Sequence, residues 1–166
     1  MTAIACVDKN NGIGKNGNLL ISIPDDMKFF REKTMDSVVI MGRKTLFSFK
    51  NKEPLKNRIN IVFTLNKGLK EDYKKFDNIF FVSSDKELDE VLNNYKEKKA
   101  FLIGGETIYN NFIDKCNEAL ITKVNKSFDA DTFFPKLEDK NFKIVSESEL
   151  FYYNDIPYQF LTYKKV

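Results

Sequence analysis

The sequence contains no histidine and no tryptophan in its 166 residues. Without histidine the chain cannot build a Ser-His-Asp or Cys-His nucleophilic site, and histidine ligands to a metal are excluded. Its chemistry must fall to carboxylates, hydroxyls, water or a bound cofactor. Cysteine is scarce, with Cys6 and Cys116 in separate apolar segments. They form no close-spaced metal-binding pattern, and two thiols in a chain this long do not suggest a disulfide scaffold. No apolar run approaches the length needed to cross a bilayer. The start, Met-Thr-Ala-Ile-Ala-Cys-Val-Asp, lacks the basic segment of a signal peptide. A cytoplasmic protein without metal or membrane partner is the expectation. A concentrated charge of one sign is also missing: 27 basic residues stand against 24 acidic ones, for a net charge of +3. That well-mixed surface suits a small anionic ligand better than nucleic acid, which would call for a basic stripe.

What is present is enough apolar material for a sizeable core. Hydrophobic residues make up 42% of the chain, with 16 Phe and 7 Tyr supplying bulk. The length fits a single domain over residues 1–166. The informative stretch is Ile23-Pro24-Asp25-Asp26-Met27-Lys28-Phe29-Phe30-Arg31. Pro24 suits the first turn of a helix, where its missing N–H costs nothing. At roughly 100° per residue, Asp26 falls inside the arc of Met27, Phe29 and Phe30, whereas Asp25, Lys28 and Arg31 point elsewhere. A carboxylate on the apolar side of a helix is costly unless paired. Either Asp26 caps backbone N–H groups, or it lines a pocket and binds a cationic or amidine-like edge of a ligand.

Short apolar runs at residues 2–7, 37–41, 59–64, 79–82, 100–103 and 119–124 read as buried strands. Residues 149–154 and 158–164 flank Asp155-Ile156-Pro157 and read as a terminal antiparallel hairpin. Between the strands lie helical patterns, one opened by the capping box Ser84-Asp85-Lys86-Glu87. The alternation predicts an α/β fold. Its central sheet should be mostly parallel, with helices on both faces and the antiparallel hairpin at the C-terminus. Residues 8–22 form a Gly- and Asn-rich loop, long for a compact domain and therefore either mobile or functional. Two strands run straight into glycine and then a helix start, at Gly42-Arg43-Lys44-Thr45 and at Gly104-Gly105-Glu106-Thr107. Such junctions offer free N–H groups to phosphate. Two of them, one carrying Arg-Lys, suggest a dinucleotide with a 2′-phosphate, NADPH. The glycine spacing is not that of the Rossmann fold.

Six motifs in order resemble the dihydrofolate reductase family of the bacterial chromosomal type, over essentially the whole chain. They are Ile13-Gly14, Pro24-x-Asp26-x-x-x-Phe30, Val39-Ile40-Met41-Gly42-Arg43-x-Thr45, Pro54-Leu55-x-x-Arg58, Ile103-Gly104-Gly105-x-x-Ile108-Tyr109 and Asp131-Thr132-x-Phe134-Pro135. The resemblance implies hydride transfer from NADPH to C6 of 7,8-dihydrofolate, with protonation at N5. It makes Asp26 the catalytic carboxylate, bonded to the pterin 2-amino group and N3 and supported by Thr122. It places the aminobenzoyl-glutamate tail against Met27, Phe30, Phe49 and Leu55, with Arg58 on the α-carboxylate. Ile4 and Ile103 carbonyls, Cys6 and Tyr109 would complete the substrate side. For the cofactor it implies Arg43, Lys44, Thr64 and Leu65 at the 2′-phosphate, and Gly42, Thr45, Gly105, Glu106, Thr107 and Ile108 about the pyrophosphate. Cys6, Ile13, Gly14, Gly104 and Tyr109 would surround the nicotinamide, beneath a loop through Asn18 and Leu19. A monomer is the family's usual state.

Two departures stand out. Many members carry Trp in the first loop where this chain has Leu19-Leu20-Ile21, and Ile21 cannot donate to a water near the pterin. Glu106 and Thr107 replace the family's usual Gly and basic residue, and a carboxylate beside pyrophosphate is unfavourable unless it turns away. The nearest rival activity is a reductase of the same fold acting on a ribosylaminopyrimidine in riboflavin synthesis. The Pro54-Leu55-x-x-Arg58 motif argues against it. A nucleic-acid-binding domain lacks the aromatic-basic surface it would need.

Overall fold

The apolar runs become the inner strands of one large sheet in the computed structural model, which describes residues 1–166. In chain order the strands are β1 (Thr2–Val7), β2 (Gly12–Lys15), β3 (Asn18–Leu19), β4 (Val38–Gly42), β5 (Ile59–Phe63), β6 (Ile79–Val82), β7 (Ala100–Gly104), β8 (Glu118–Val124), β9 (Thr132–Phe133), β10 (Phe142–Glu147), β11 (Phe151–Tyr153) and β12 (Ile156–Lys165). The helices are α1 (Pro24–Thr34), α2 (Arg43–Ser48), α3 (Leu69–Asp72), α4 (Asp85–Asn94) and α5 (Glu106–Phe112). The large sheet runs β10-β12-β8-β1-β7-β4-β5-β6, with β11 also paired to β12. Pairings from β8 across to β6 are parallel. Those made by β12 are antiparallel. The expected α/β architecture, mostly parallel with a C-terminal antiparallel part, is therefore present.

Alternation within each strand divides the core between the two faces. Val38 and Ile40 join Leu88 of α4 and Ile108 and Phe112 of α5 on one face. Val39 and Met41 join Leu46 of α2 and Leu69 of α3 on the other. Phe29 and Phe30 of α1 cover the same second face further along, against Ile4 and Leu120. The capping box forms, since Ser84 Oγ accepts from the Glu87 N–H at 3.1 Å. Glu87 reaches back to the Ser83 N–H, also at 3.1 Å.

Two local readings are corrected and one further strand is found. Residues 8–22 are not a free loop: β2 and β3 form a hairpin turning at Asn16 and Gly17, both with positive φ, and β2 also pairs with β9. The glycines here allow close backbone approach. A Cβ on Gly12 would meet the Ala130 Cβ at 2.6 Å, and one on Gly14 would meet Thr132 Oγ1 at 2.9 Å. The C-terminal hairpin turns at Asn154 and Asp155, so Ile156 and Pro157 belong to β12. Finally, β10 pairs the far edge of β12 although Lys143, Ser146 and Glu147 are exposed there. An edge strand needs no continuous apolar run.

Candidate active site

Pro24 opens α1 as its first residue, and the flanking Ile23 offers no side-chain cap. Asp26 does not cap the helix. Its Oδ1 accepts from the buried Thr122 hydroxyl at 2.5 Å, so α1 is joined to β8 through a partly buried polar pair. Thr122 is in register with Cys6 of β1 on one side and Phe160 of β12 on the other. Residues in register on adjacent strands project to the same face, here toward α1. The Phe160 ring lies 4.7 Å from Phe29 of that helix. Burial pushes the Asp26 carboxyl above its usual range, and the hydrogen bond from Thr122 partly offsets the rise. The same burial, with the Asp26 charge added, pushes the Cys6 thiol far above its ordinary range.

Flanking this carboxylate are two apolar walls. Phe30 packs with Ile4, Phe101 and Leu120. Phe49 and Leu55 pack with Val39, Met41 and Val62. Ile103 touches both groups, and Met27 on α1 stays exposed. Leu55 and Arg58 are held by Asn60, a fully buried polar residue inside β5. Its side chain accepts from the Leu55 N–H at 3.0 Å and donates to the Leu55 and Arg58 carbonyls at 2.9 and 3.2 Å. Asn78 reinforces both carbonyls, each at 3.1 Å. Arg58 is itself 8% exposed. Its Nη1 donates to the Lys56 carbonyl, while Nε has no partner. Burial, with the nearby Arg31 charge, pulls its pKa down, an effect the Asp36 charge partly offsets, and no carboxylate lies within ion-pair distance of the guanidinium.

The two glycine junctions lie side by side because β4 and β7 are neighbours, with Met41 in register with Gly104. A Cβ on Gly42 would meet Ile108 at 3.3 Å, and one on Gly105 would meet Thr45 Oγ1 at 3.9 Å. Arg43 lies over the Phe47 ring, and neither Arg43 nor Lys44 has a carboxylate within ion-pair distance. Thr64 and the exposed Leu65 follow β5, next to β4. Thr107 is exposed. The Glu106 carboxylate turns to the Phe133 N–H, at 2.9 Å. That contact resolves the concern about a carboxylate at this position. The Tyr109 hydroxyl donates to the Ile4 carbonyl at 2.6 Å, which leaves that oxygen one lone pair for another donor. The Gly104–Gly105 peptide is cis. Cys6, Ile13, Leu19 and Ile21 line a narrow crevice where the β2–β3 hairpin meets β1, with Asn18 exposed at the hairpin end. A cavity of about 460 Å³ lies on the opposite face of β1 and β8 and touches none of the Asp26 surroundings.

The family model for dihydrofolate reductase matches residues 1–165. The chain belongs to the dihydrofolate reductase family. The dihydrofolate reductase of Sus scrofa is 33% identical to it over 188 residues, covering 99% of this chain and 97% of that one. That of Bacillus subtilis is 32% identical over 164 residues, covering 98% and 92%. Among solved structures, dihydrofolate reductase from Enterococcus faecalis complexed with NADP(H) and RAB-propyl superimposes with a TM-score of 0.79 at 28% identity. It covers 98% of this chain and 94% of its own. The protein is accordingly an NADPH-dependent oxidoreductase of folate metabolism.

The residues present fit the reductase's ligands. An orphaned, buried guanidinium nitrogen on Arg58 suits a carboxylate. Unpaired cations at Arg43 and Lys44, beside a pair of strand–glycine–helix junctions, suit phosphates. The polar residues that sequence reasoning missed are Asp8, Asn60 and Asn78. Asp8 is 2% exposed and accepts from the N–H groups of Asn10, Gly12 and Phe128 at 2.8, 2.7 and 2.9 Å, which anchors the start of the β2 segment. The signal for Asn60 was available, as a lone polar residue within Ile59-Asn60-Ile61-Val62.

Proposed function

We propose that Asp26 is the catalytic carboxylate of this reductase and that residues 1–166 work as one domain, a cytoplasmic monomer without a nucleic-acid partner. The observation that carries the assignment of Asp26 is its bond to Thr122 across a partly buried interface, with no cation in ion-pair distance. Such a carboxylate is matched by an amidine-like edge carrying two donors, which the 2-amino group and N3 of a pterin provide. Asp26 then holds the ring with C6 and N5 toward the nicotinamide side and favours the N5-protonated form, the proton arriving through water. Met27, Phe30, Phe49, Leu55 and Ile103 bury the aminobenzoyl group, and Arg58 takes the α-carboxylate of the glutamate.

NADPH supplies the hydride. Arg43 and Lys44, with Thr64 and Leu65, would hold its 2′-phosphate. Gly42, Thr45 and Gly105 to Ile108 would face the pyrophosphate. Cys6, Ile13, Gly14, Asn18, Leu19, Gly104 and Tyr109 would enclose the nicotinamide and exclude bulk water.

Dihydrofolate with NADPH, followed by loss of NADPH absorbance, tests the reading. Rapid turnover is expected, and a ribosylaminopyrimidine in its place should give none. An Arg58→Leu variant should raise KM for dihydrofolate about tenfold to a hundredfold, the loss of a charge-assisted pair. It should leave KM unchanged for a pterin that lacks the glutamate. Equal effects on both substrates would remove Arg58 from the tail site.

A further inference from the structure

The cavity on the far face of β1 and β8 takes no part in the site described above. Val7 and Lys123 are in register there, one residue beyond the Cys6–Thr122 pair. Strand alternation turns them away from α1 and Asp26. Part of the lining is apolar, with Val7, Phe134 and Leu137 all buried. Three lysines, Lys9, Lys123 and Lys136, line the same space against one carboxylate, Glu138. None of the three has a carboxylate within ion-pair distance. We propose that this cavity is a binding site for a small organic dianion with an apolar body, of the aryl phosphate kind, its charge held by the three lysines and its ring laid on Phe134 and Leu137. The proposal goes beyond the reductase reaction and does not depend on the assignment of Asp26.

Lys123 carries most of the argument. It is half-buried, and its ammonium donates only to neutral acceptors, the Asn11 Oδ1 at 3.2 Å and the Lys9 carbonyl at 3.4 Å. Burial pulls its pKa down, and the charges of Asp8 and Glu138 oppose that fall from a distance. The Asp8 carboxylate is already committed to the N–H groups of Asn10, Gly12 and Phe128. An ammonium held partly out of water without a counter-ion is stabilised by an incoming anion. Three ammonium groups against one carboxylate leave two positive charges, which a dianion neutralises. The volume of about 460 Å³ falls within the roughly 300–1,000 Å³ of small-molecule sites and has room for a ring beside a phosphate. The lysines come from three separate segments, and these are tied to one another. The Phe134 N–H donates to the Asn11 carbonyl at 2.8 Å, joining the segment that carries Lys136 to the turn that follows Lys9. The cations are therefore held around the cavity before any ligand arrives.

The test uses the full chain saturated with NADPH, so that the probe does not report on the cofactor's own phosphate contacts. Phenyl phosphate is the probe, titrated to millimolar concentration and followed by NMR. Signals of Lys9, Asn11, Lys123 and Lys136 should shift together and saturate, while those of Arg43 and Asp26 stay still. Lys123→Met should weaken binding about tenfold to a hundredfold, the loss of a charge-assisted bond. Lys136→Met, at an exposed position, should weaken it about twofold to fivefold, the weight of an exposed ion pair. Inorganic phosphate should bind about tenfold more weakly than phenyl phosphate, for want of a ring to bury. Benzyl alcohol, a ring without charge, should produce no saturating shift. Shifts that never saturate would overturn the site. So would saturating shifts centred on Arg43 and Lys44, or binding that is unchanged in both lysine variants. Inorganic phosphate bound as tightly as phenyl phosphate would overturn the apolar half of the proposal. If Lys123→Met does not fold, Lys136→Met and Lys9→Met carry the same comparison.

Discussion

The Glu106 carboxylate accepts a hydrogen bond from the backbone N–H of Phe133 at 2.9 Å. Phe133 lies in β9, and β9 pairs with Gly12 and Gly14 of β2. One side chain therefore ties the start of α5 to the three-stranded sheet that carries the crevice loop. The β9–β2 pairing, the Asp131 bonds to Asn16 and Gly14, the Phe134 N–H on the Asn11 carbonyl and the Asp8 bonds to Gly12 hold the rest of that sheet.

Glu106→Ala should lower stability by about 0.5–1.5 kcal/mol, seen in chemical denaturation. Amide exchange should quicken at Phe133 and across β2, but not in β4 or β5. Unchanged exchange at β2 would mean that Glu106 does not restrain the loop.

Asp26→Asn should keep the fold and lose about tenfold to a hundredfold in turnover at neutral pH, the weight of a charge-assisted pair. Its stability should move the other way. The folded carboxyl has a raised pKa, so the folded state holds its proton where the unfolded state has released it. Stability of the wild type therefore falls as pH rises from the unfolded value through the folded one. The asparagine variant should melt higher than wild type above that window and equal to it below about pH 4. A constant difference in Tm across pH would contradict the assigned burial.

Arg43→Ala should weaken NADPH about tenfold to a hundredfold and NADH far less, because only NADPH carries the 2′-phosphate. Fluorescence titration of the two cofactors reads the difference directly. Equal weakening of both would place Arg43 elsewhere, for instance as a packing partner of Phe47.

Ile21→Trp should change hydride transfer and its pH profile while leaving the adenine end of NADPH binding untouched. Ile21 packs in a cluster with Ile23, Val124, Tyr158 and Cys6, which is shaped for a smaller side chain. Forcing an indole there can cost about 1–3 kcal/mol, whereas its N–H adds a donor for water. Pre-steady-state transfer with deuterated NADPH across pH isolates the step. Superimposable profiles would show that position 21 does not reach the chemistry.

The six inner strands, the parallel core and the helices α1, α2, α4 and α5 were legible in the sequence, because they depend on local signals, whereas β2, β3, β9 and β10 were not. Apolar runs report burial on both faces. Pro24 starts a helix, and Ser84 with Glu87 caps one, whatever lies elsewhere in the chain. The position of Asp26 in an apolar arc was legible too, but not its partner. A periodicity places a residue on a face and says nothing of what that face meets. Only the packing of α1 on the sheet brought Thr122 to that carboxylate, from a position 96 residues away in sequence. Tertiary structure alone also turned Glu106 away from the cofactor side and drew the glycine-rich loop into a sheet with residues 132–133. In each case the deciding interaction is a hydrogen bond between distant segments. Its energy depends on a geometry that the packed sheet, and not the local sequence, creates.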